Sequence, residues 1–83
     1  MTTIREFQQL MERLYMKRDA AQGPFLTYVW LSTELGEFGK ALLAGDKEAL
    51  GVEAADILAW LTSACNILGI DLEEAAERKY GGG

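Results

Sequence analysis

Apolar side chains recur in steps of three and four residues along most of the chain. Two such series precede residue 45 and a third follows it. Their members are Ile4, Phe7, Met11, Leu14 and Tyr15; Tyr28, Leu31, Leu35, Phe38 and Leu42; and Leu50, Ala54, Ile57, Leu58, Leu61, Ala64, Cys65 and Leu68. This spacing lines each series along one face of an α-helix. No stretch alternates apolar and polar residues for long enough to indicate a β-strand, so the pattern predicts an all-α protein.

Capping and breaking residues divide the pattern into about four helices. Side chains suited to capping a helix N-terminus precede three of them, namely Thr3 with Glu6, Asp46, and Asp71 with Glu74. Gly23-Pro24 is the strongest break, and Gly45 and Gly69 are typical of residues that end a helix. The predicted helices run from Ile4 to near Arg18, from about Phe25 or Thr27 to Leu43, from Asp46 to Gly69, and from Asp71 to about Tyr80.

The connections between these helices are short, which makes successive helices antiparallel neighbours. The chain has 83 residues, and a single copy of that size leaves much of its apolar surface in contact with water. We therefore predict one domain over residues 1–83, with residues 81–83 frayed. The expected architecture is an antiparallel helical bundle completed by homo-oligomerisation, as a dimer or a tetramer.

The amino-acid composition excludes several kinds of catalytic site and binding partner. The chain has no His, one Cys and a formal net charge of −5. Without His there is no imidazole for acid–base catalysis, for a Ser-His-Asp triad or for metal binding. The acidic charge argues against nucleic-acid and anionic-membrane partners. The longest apolar tract, residues 57–70, is shorter than the roughly 20 residues of a membrane span. A lone Cys65 suits a reducing compartment, so we expect a cytoplasmic protein.

Two pairs of acidic residues are arranged symmetrically about the turn at Gly45. Glu34 and Glu37 precede it on the second predicted helix, and Glu53 and Asp56 follow it on the third. Residues three apart share a helix face. Because each residue rises about 1.5 Å along a helix, an antiparallel hairpin brings the two pairs to matching heights. We expect the four carboxylates to approach one another across the interhelical seam.

Carboxylates gathered in this way repel one another, and the repulsion can be relieved in two ways. One is protonation of some of them. The other is a divalent cation, with Mg²⁺ first and Mn²⁺ as a substitute, because oxygen ligands suit hard ions. The spacing alone also permits acidic faces that are simply solvated. Glu74 and Glu77 have the same spacing without a facing pair, and we predict that they are solvated.

The segments around these acids resemble a known family. The first reads Thr33-Glu34-Leu35-Gly36-Glu37 and the second reads Glu53-Ala54-Ala55-Asp56. Together with Trp30-Leu31, the continuation Ile57-Leu58-Ala59-Trp60 and the tail from Gly69 to Tyr80, they resemble the MazG-like, all-α nucleoside triphosphate pyrophosphohydrolases. The similarity extends from about Tyr15 to Tyr80. One departure is Thr33, which stands where the family has the first Glu of its Glu-Glu-x-x-Glu motif.

This resemblance implies metal-dependent hydrolysis of a nucleoside or deoxynucleoside triphosphate to the monophosphate and pyrophosphate, in the removal of unwanted nucleotides. It assigns the metal to Glu34, Glu37, Glu53 and Asp56. The attacking water would contact Glu34 or Glu37, which lie beside Thr33, the position of the missing acid. Thr33 leaves open how many metal ions the site binds.

Substrate contacts are expected from basic and aromatic side chains near the motifs. Lys79, in a family-like Lys-Tyr pair, is the first candidate for the phosphates. Arg18 is the second, with capping of the first helix as its alternative role. Lys40 and Arg78 are the remaining basic candidates, and an ordinary surface ion pair is the alternative for Lys40. Trp30 is a candidate platform for the base, although aromatic residues at helical spacing more often belong to a core.

Two other functions remain open at this point. One is phosphoribosyl-ATP pyrophosphohydrolase, which shares the scaffold; the absence of a His after Asp56 argues against it. The other is a non-catalytic helical module for oligomerisation or metal binding, which the missing acid at Thr33 keeps open. A panel of nucleotide substrates, with and without Mg²⁺, separates these alternatives.

Overall fold

The computed structural model describes residues 3–82, and these residues are helical almost throughout. Helix α1 spans Ile4–Ala44, α2 spans Lys47–Leu68 and α3 spans Leu72–Ala76, and a π-helix follows at Glu77–Gly81. No β-strand occurs within residues 3–82. The predicted all-α class is therefore confirmed. The predicted fraying of residues 81–83 stays a prediction, and Gly83 lies outside the described residues.

The predicted caps begin and end the helices. The side chains of Thr3, Asp46 and Asp71 each accept a hydrogen bond from a backbone N–H three residues later, at 3.0–3.1 Å. These bonds satisfy N–H groups that have no partner within the helix. Gly45 and Gly69 adopt left-handed conformations at the ends of α1 and α2. The three predicted N-terminal caps are therefore confirmed.

Helix α1 is broken at Gly23 into two segments, residues 4–22 and 24–44. A straight α-helix of its length would measure about 60 Å, whereas the longest extent of the molecule is 38 Å. Gly23 has φ 81° and ψ 169°, a backbone conformation that glycine adopts more readily than other residues. The adjoining Pro24 lacks the N–H that would continue the hydrogen-bond ladder.

This break lies at the predicted Gly23-Pro24 position, and the helical segments on both sides extend closer to it than predicted. The first segment continues past Arg18 to residue 22, and the second resumes at Pro24. The side chain of Thr27 donates a hydrogen bond to the carbonyl oxygen of Gly23 at 2.9 Å, which stabilises the start of the second segment. Residues 3–82 thus contain three α-helices, with the first one bent. A four-helix bundle completed by oligomerisation stays a prediction.

The second segment of α1 and helix α2 form an antiparallel hairpin around Gly45. Trp30 stacks on Trp60, and Glu34 lies beside Glu53. Residues at similar distances from the turn on the two helices therefore contact each other, as in an antiparallel hairpin. The first segment of α1 packs against α2 as well and also contacts α3.

Gln8 joins the first segment of α1 to the C-terminal end of α2. Its side-chain amide donates to Asn66 and to the carbonyl oxygen of Ile70, at 3.1 and 2.7 Å. Its side-chain oxygen accepts from the backbone N–H of Leu72 at 3.0 Å. Every polar atom of this buried side chain is therefore bonded, which fixes where α3 begins relative to α1.

The buried interior of one copy is small. Among the described residues, the buried hydrophobic side chains are Met11, Ala41 and Cys65. Most of the apolar series on segment 24–44 faces outward, since Tyr28 and Leu42 are more than half exposed. The interior instead takes polar side chains at Gln8, Asp19, Thr27, Thr62 and Ser63.

Within residues 3–82, no single helix is both long enough and apolar enough to cross a membrane. The pair Lys47–Leu68 and Leu72–Gly81 meets the length and composition criteria together, with a bend of 101° between its members.

Candidate functional site

Three carboxylates meet on the hairpin between the second segment of α1 and α2. One oxygen each from Glu34, Glu53 and Asp56 lies within 4.8 Å of the other two. Glu53 and Asp56 share a face of α2 because they are three residues apart. Glu34 reaches them from α1 because the hairpin brings it to their height. We call these three residues the acidic cluster.

The acidic cluster holds like charges close together. The pKa of Glu34 is raised from its ordinary value of 4.5, firstly because its protonated carboxyl group can hydrogen-bond to Glu53. Loss of hydration and the charges of Asp56, Glu53 and Glu37 raise this pKa further. The Oε2 atom of Glu53 is buried and has no hydrogen-bond partner among the described residues. Within residues 3–82, the cluster therefore contains a buried carboxylate oxygen that no donor satisfies.

These features fit a divalent cation. All the donors are carboxylate oxygens, which hard cations such as Mg²⁺ and Mn²⁺ prefer. A buried carboxylate oxygen without a partner is costly, and a cation would satisfy it. A cation would also offset the repulsion that raises the pKa of Glu34. Glu34, Glu53 and Asp56 are thus a group that could hold a metal.

A small cavity of about 150 Å³ adjoins the acidic cluster. Asp56 forms part of its wall, together with Arg18, Tyr15, Trp60 and Ser63. The cavity lies between the first segment of α1 and α2, so it brings residues that precede the Gly23 break next to one carboxylate of the cluster. A basic and an aromatic side chain accordingly line the space beside the acids.

Two tryptophans stack next to this cavity. The rings of Trp30 and Trp60 have centroids 6.0 Å apart and planes inclined by 16°. Trp30 lies one helical turn before Glu34, and Trp60 lies one turn after Asp56, so the stacked pair sits on the same side of the hairpin as the cluster. The aromatic pair, the cavity and the acidic cluster form one continuous region.

Residues 22–80 match the family model of the MazG nucleotide pyrophosphohydrolase domain. The chain belongs to this family. The match covers the second segment of α1, all of α2 and most of the C-terminal helices, and it includes the acidic cluster. No curated protein gives a significant match. The resemblance inferred from the sequence motifs is confirmed, and it identifies a hydrolase domain of the nucleotide pyrophosphohydrolase type.

In this MazG domain, Glu37 lies apart from the acidic cluster. Glu37 is three residues from Glu34, as Asp56 is from Glu53, yet its carboxylate is not among those whose oxygens lie within 4.8 Å of one another. The carboxylate of Glu37 contacts the ammonium group of Lys40 at 3.4 Å, and both side chains are exposed. The surface ion pair that was the alternative role for Lys40 is therefore present. The roles of Glu37 as metal ligand and as contact for the water stay predictions.

Thr33, at the position of the family's first Glu, points its hydroxyl group back to its own helix. The Oγ1 atom donates a hydrogen bond to the carbonyl oxygen of Val29 at 3.0 Å. At this position the MazG site thus has a hydroxyl group that is bonded to its own helix in place of a carboxylate.

The MazG domain carries Lys79 at the opposite end of α2 from the acidic cluster. Lys79 lines a cavity of about 490 Å³ with Gly69, Ile70 and Arg78. Gly69 follows the last residue of α2, and thirteen residues separate it from Asp56, which corresponds to about 20 Å along a helix. Within one copy, Lys79 is therefore not among the residues that the fold gathers at the cluster. Arg78 pairs with Glu74 at 2.8 Å, and both Glu74 and Glu77 are exposed.

Sequence reasoning missed Asp19, which adjoins this region of the MazG domain. Its side chain is fully buried and forms an ion pair with Arg18 at 2.9 Å. A signal was present in the sequence, because Met11, Tyr15 and Asp19 are spaced four residues apart on the inward face of the first helix. A carboxylate at an inward position normally has a functional or structural partner.

Proposed function

We propose that this MazG domain hydrolyses nucleoside triphosphates, or deoxynucleoside triphosphates, to the monophosphate and pyrophosphate in a metal-dependent reaction. The observation that carries the proposal is the convergence of Glu34, Glu53 and Asp56 from two helices, with a buried oxygen of Glu53 that has no partner among the described residues. The family supplies the reaction type. The biological role would be removal of unwanted nucleotides.

Glu34, Glu53 and Asp56 would hold Mg²⁺, with Mn²⁺ as a substitute, and Glu37 is the proposed fourth ligand. When bound, the cation neutralises phosphate charge and acts as a Lewis acid toward the triphosphate. This matters here because both the triphosphate and the protein, with its net charge of −5, are anionic.

The chain's own residues would position and deprotonate the attacking water. The water oxygen forms a bond to the α-phosphorus, the bond from that phosphorus to the bridging oxygen breaks, and pyrophosphate leaves. A carboxylate must accept the proton, because the chain has no His. Glu34 is the favoured acceptor because it belongs to the cluster, and Glu37, which is tied to Lys40, is the second candidate.

The rest of the nucleotide would contact the region around the cavity. Arg18 is the proposed phosphate contact from this copy, since it lines the cavity beside Asp56. Trp30, stacked on Trp60, is the proposed contact for the base. Lys79 would serve as a phosphate contact for the site of a neighbouring copy, because the acidic cluster of its own copy lies about 20 Å away along α2.

The proposed active form is a homo-oligomer, a dimer or a tetramer. Support comes from the small interior of one copy and from exposed apolar side chains on segment 24–44, of which Phe25 is 86% exposed. Phe25 and Val29 lie one helical turn apart on this segment, and exposed apolar patches are typical of protein–protein interfaces. We propose the cytoplasm as the compartment, on the ground of the lone Cys65. Neither nucleic acid nor a membrane is proposed as a partner.

The test is a panel of nucleoside and deoxynucleoside triphosphates, together with phosphoribosyl-ATP, assayed for pyrophosphate with Mg²⁺ and with excess chelator. We expect release from at least one triphosphate, only with the metal present. Asp56→Asn should abolish it without loss of the helical circular dichroism signal. The matched control is Glu77→Gln, which removes an acid of the other i, i+3 pair and should leave the rate unchanged. Turnover in excess chelator would contradict the metal dependence.

A second candidate function is a non-catalytic helical module that binds a metal. The observation that favours it is Thr33, whose hydroxyl group bonds to its own helix where the family has an acid. This alternative predicts Mg²⁺ binding in a calorimetric titration and no turnover of any nucleotide in the panel.

A further inference from the structure

Asp19 has an unusual environment for a carboxylate. Its side chain has no exposure to solvent. Its Oδ1 atom accepts two hydrogen bonds from Arg18, from Nε at 3.0 Å and from Nη2 at 2.9 Å. Its Oδ2 atom is buried with no partner among residues 3–82.

Stability does not account for this pair. Adjacent residues point in different directions on a helix, so the Arg18 side chain has to bend back to reach Asp19. The Asp19 side of this ion pair is buried, and burying a carboxylate oxygen that has no partner costs free energy. We therefore attribute the burial of Asp19 to its effect on the position of the Arg18 guanidinium group.

The consequence for Arg18 is a fixed guanidinium group beside the acidic cluster. Its central carbon lies 4.2 Å from the ring centroid of Tyr15 and 4.7 Å from that of Trp60. These contacts and the two bonds to Asp19 hold the group from several directions. The side chain is still 44% exposed, and no described residue accepts a hydrogen bond from Nη1. That nitrogen is left to donate to a ligand in the cavity that Arg18 shares with Asp56.

We propose that Asp19 is a positioning residue, which holds Arg18 over Trp60 so that its guanidinium group binds the phosphate chain of a nucleoside triphosphate beside Asp56. The inference rests on the proposed function for the class of ligand. Both residues lie before residue 22, where the family match begins, so the match does not assign them a role.

Among the basic side chains of residues 3–82, Arg18 is the one that lines the cavity beside Asp56. Arg5, Lys40 and Arg78 each form ion pairs with acidic residues elsewhere. An arginine presents several donors in one plane, which suits phosphate oxygens. Its partner, Asp19, is also its immediate neighbour in the chain, so the pair moves as one unit with the first segment of α1.

The first experiment measures binding without hydrolysis. The dissociation constants of α,β-methylene-ATP and α,β-methylene-dUTP are measured by calorimetry with Mg²⁺ for the wild-type protein, Asp19→Asn, Arg18→Ala and the double variant. Asp19→Asn keeps the size of the side chain and removes a buried charge, so folding should be retained. For the analogue that binds, we expect about a tenfold weaker affinity in each single variant. The double variant should be no weaker than Arg18→Ala, because Asp19 acts through Arg18.

The matched control is Lys17→Ala, which removes the same charge from the neighbouring exposed position and should leave the affinity unchanged. A second readout is chemical rescue. Ethylguanidinium should restore binding to Arg18→Ala and should fail in the double variant, since the added cation needs the carboxylate of Asp19. A merely structural role of Asp19 would not produce this difference.

The outcomes separate the inference from the proposed function. Tight binding of an analogue without turnover of any nucleotide would reject the proposed hydrolysis and leave the inference supported if Asp19→Asn weakens binding. Wild-type affinity in Asp19→Asn, or equal rescue with and without Asp19, would overturn the inference even if the enzyme is active. Failure of the wild-type protein to bind either analogue would overturn it as well.

Discussion

Glu34 and Glu53 approach each other from two different helices, and with Asp56 their carboxylate oxygens lie within 4.8 Å. The Glu53 oxygen that is buried without a partner makes this contact unfavourable in the absence of a cation. The same arrangement that weakens the metal-free fold would therefore create the affinity for a divalent ion.

Replacing Glu53 by glutamine should consequently separate stability from function. Without metal, we expect Glu53→Gln to raise the free energy of unfolding by on the order of 1 kcal/mol, because one of three like charges is removed. The increase in melting temperature that Mg²⁺ gives the wild-type protein should disappear. Thermal denaturation with EDTA and with MgCl₂ measures both effects. Glu77→Gln should keep the response to Mg²⁺, and a lower metal-free stability in Glu53→Gln would contradict the expected repulsion.

The raised pKa of Glu34 predicts how metal-free stability depends on pH. Because the folded state holds the proton more tightly than the unfolded state, this contribution is fully present below pH 4.5 and is lost as pH rises through the higher folded pKa. Metal-free stability should fall above pH 4.5, and the stabilisation by Mg²⁺ should grow over the same range. Melting temperatures at a series of pH values test this. The dependence should be weaker in Glu34→Gln; an unchanged pH profile in that variant would show that another group is responsible.

Arg5 connects the start of α1 to α3, and we expect this connection to weaken at acid pH. Its guanidinium group lies 2.8 Å from Asp71 and 2.9 Å from Glu73. The hydrogen bond to Arg5 is the largest cause that lowers the pKa of Asp71 from 3.8. This contribution is present above pH 3.8 and is lost as pH falls through the lowered folded pKa. We expect faster amide exchange in α3 at acid pH. Arg5→Ala should produce the same faster exchange at neutral pH, whereas Arg13→Ala on the same segment should not.

The hydrogen bonds of Gln8 predict a large cost of substitution. Gln8→Ala leaves the backbone N–H of Leu72 and the side chain of Asn66 without these partners. Since each unsatisfied buried group costs about 1–3 kcal/mol, we expect the free energy of unfolding to fall by about 2–4 kcal/mol. Urea denaturation measures the change. The neighbouring Gln9 is exposed, so Gln9→Ala should alter stability by less than about 0.5 kcal/mol. Equal effects of the two substitutions would refute this account.

The exposed apolar side chains of segment 24–44 predict its part in oligomerisation. A Phe25→Ser, Val29→Ser double variant should sediment as a smaller species than the wild-type protein, because it removes apolar surface from the proposed interface. Leu14→Ser removes an exposed apolar side chain from the other segment of α1 and should leave the oligomer intact. Analytical ultracentrifugation distinguishes these results, and a wild-type protein that is monomeric throughout would contradict the oligomer.

Local signals in the sequence accounted for the helices and their ends. Thr3, Asp46 and Asp71 cap helices as predicted because capping depends on one side chain and the backbone three residues away. The break at Gly23-Pro24 was also visible, since it follows from the properties of these two residues. What the local pattern did not reveal is that the helix continues to residue 22 and resumes at once, so that α1 is one bent element.

The positions of individual side chains in the site were less predictable. The spacing predicted that Glu34 lies opposite Asp56, and these two residues do approach each other. It also predicted that Glu37 lies opposite Glu53, whereas the Glu37 carboxylate contacts Lys40. Matching heights along two helices do not specify the rotation of each helix about its axis. That rotation depends on packing, and here polar residues such as Thr27 and Asp19 take inward positions that a hydrophobic pattern assigns to apolar ones.

The sequence by itself determined the helical class, the N-terminal caps and the family, because these depend on local periodicity, single side chains and a motif of fixed spacing. Only the tertiary structure decided which acids form the cluster, that Arg18 contacts the rings of both Tyr15 and Trp60, and that its ion-pair partner Asp19 is buried. These relationships join residues that are distant along the chain or face inward against expectation. They follow from how α1 bends and rotates against α2, which is settled by the packing of the whole molecule.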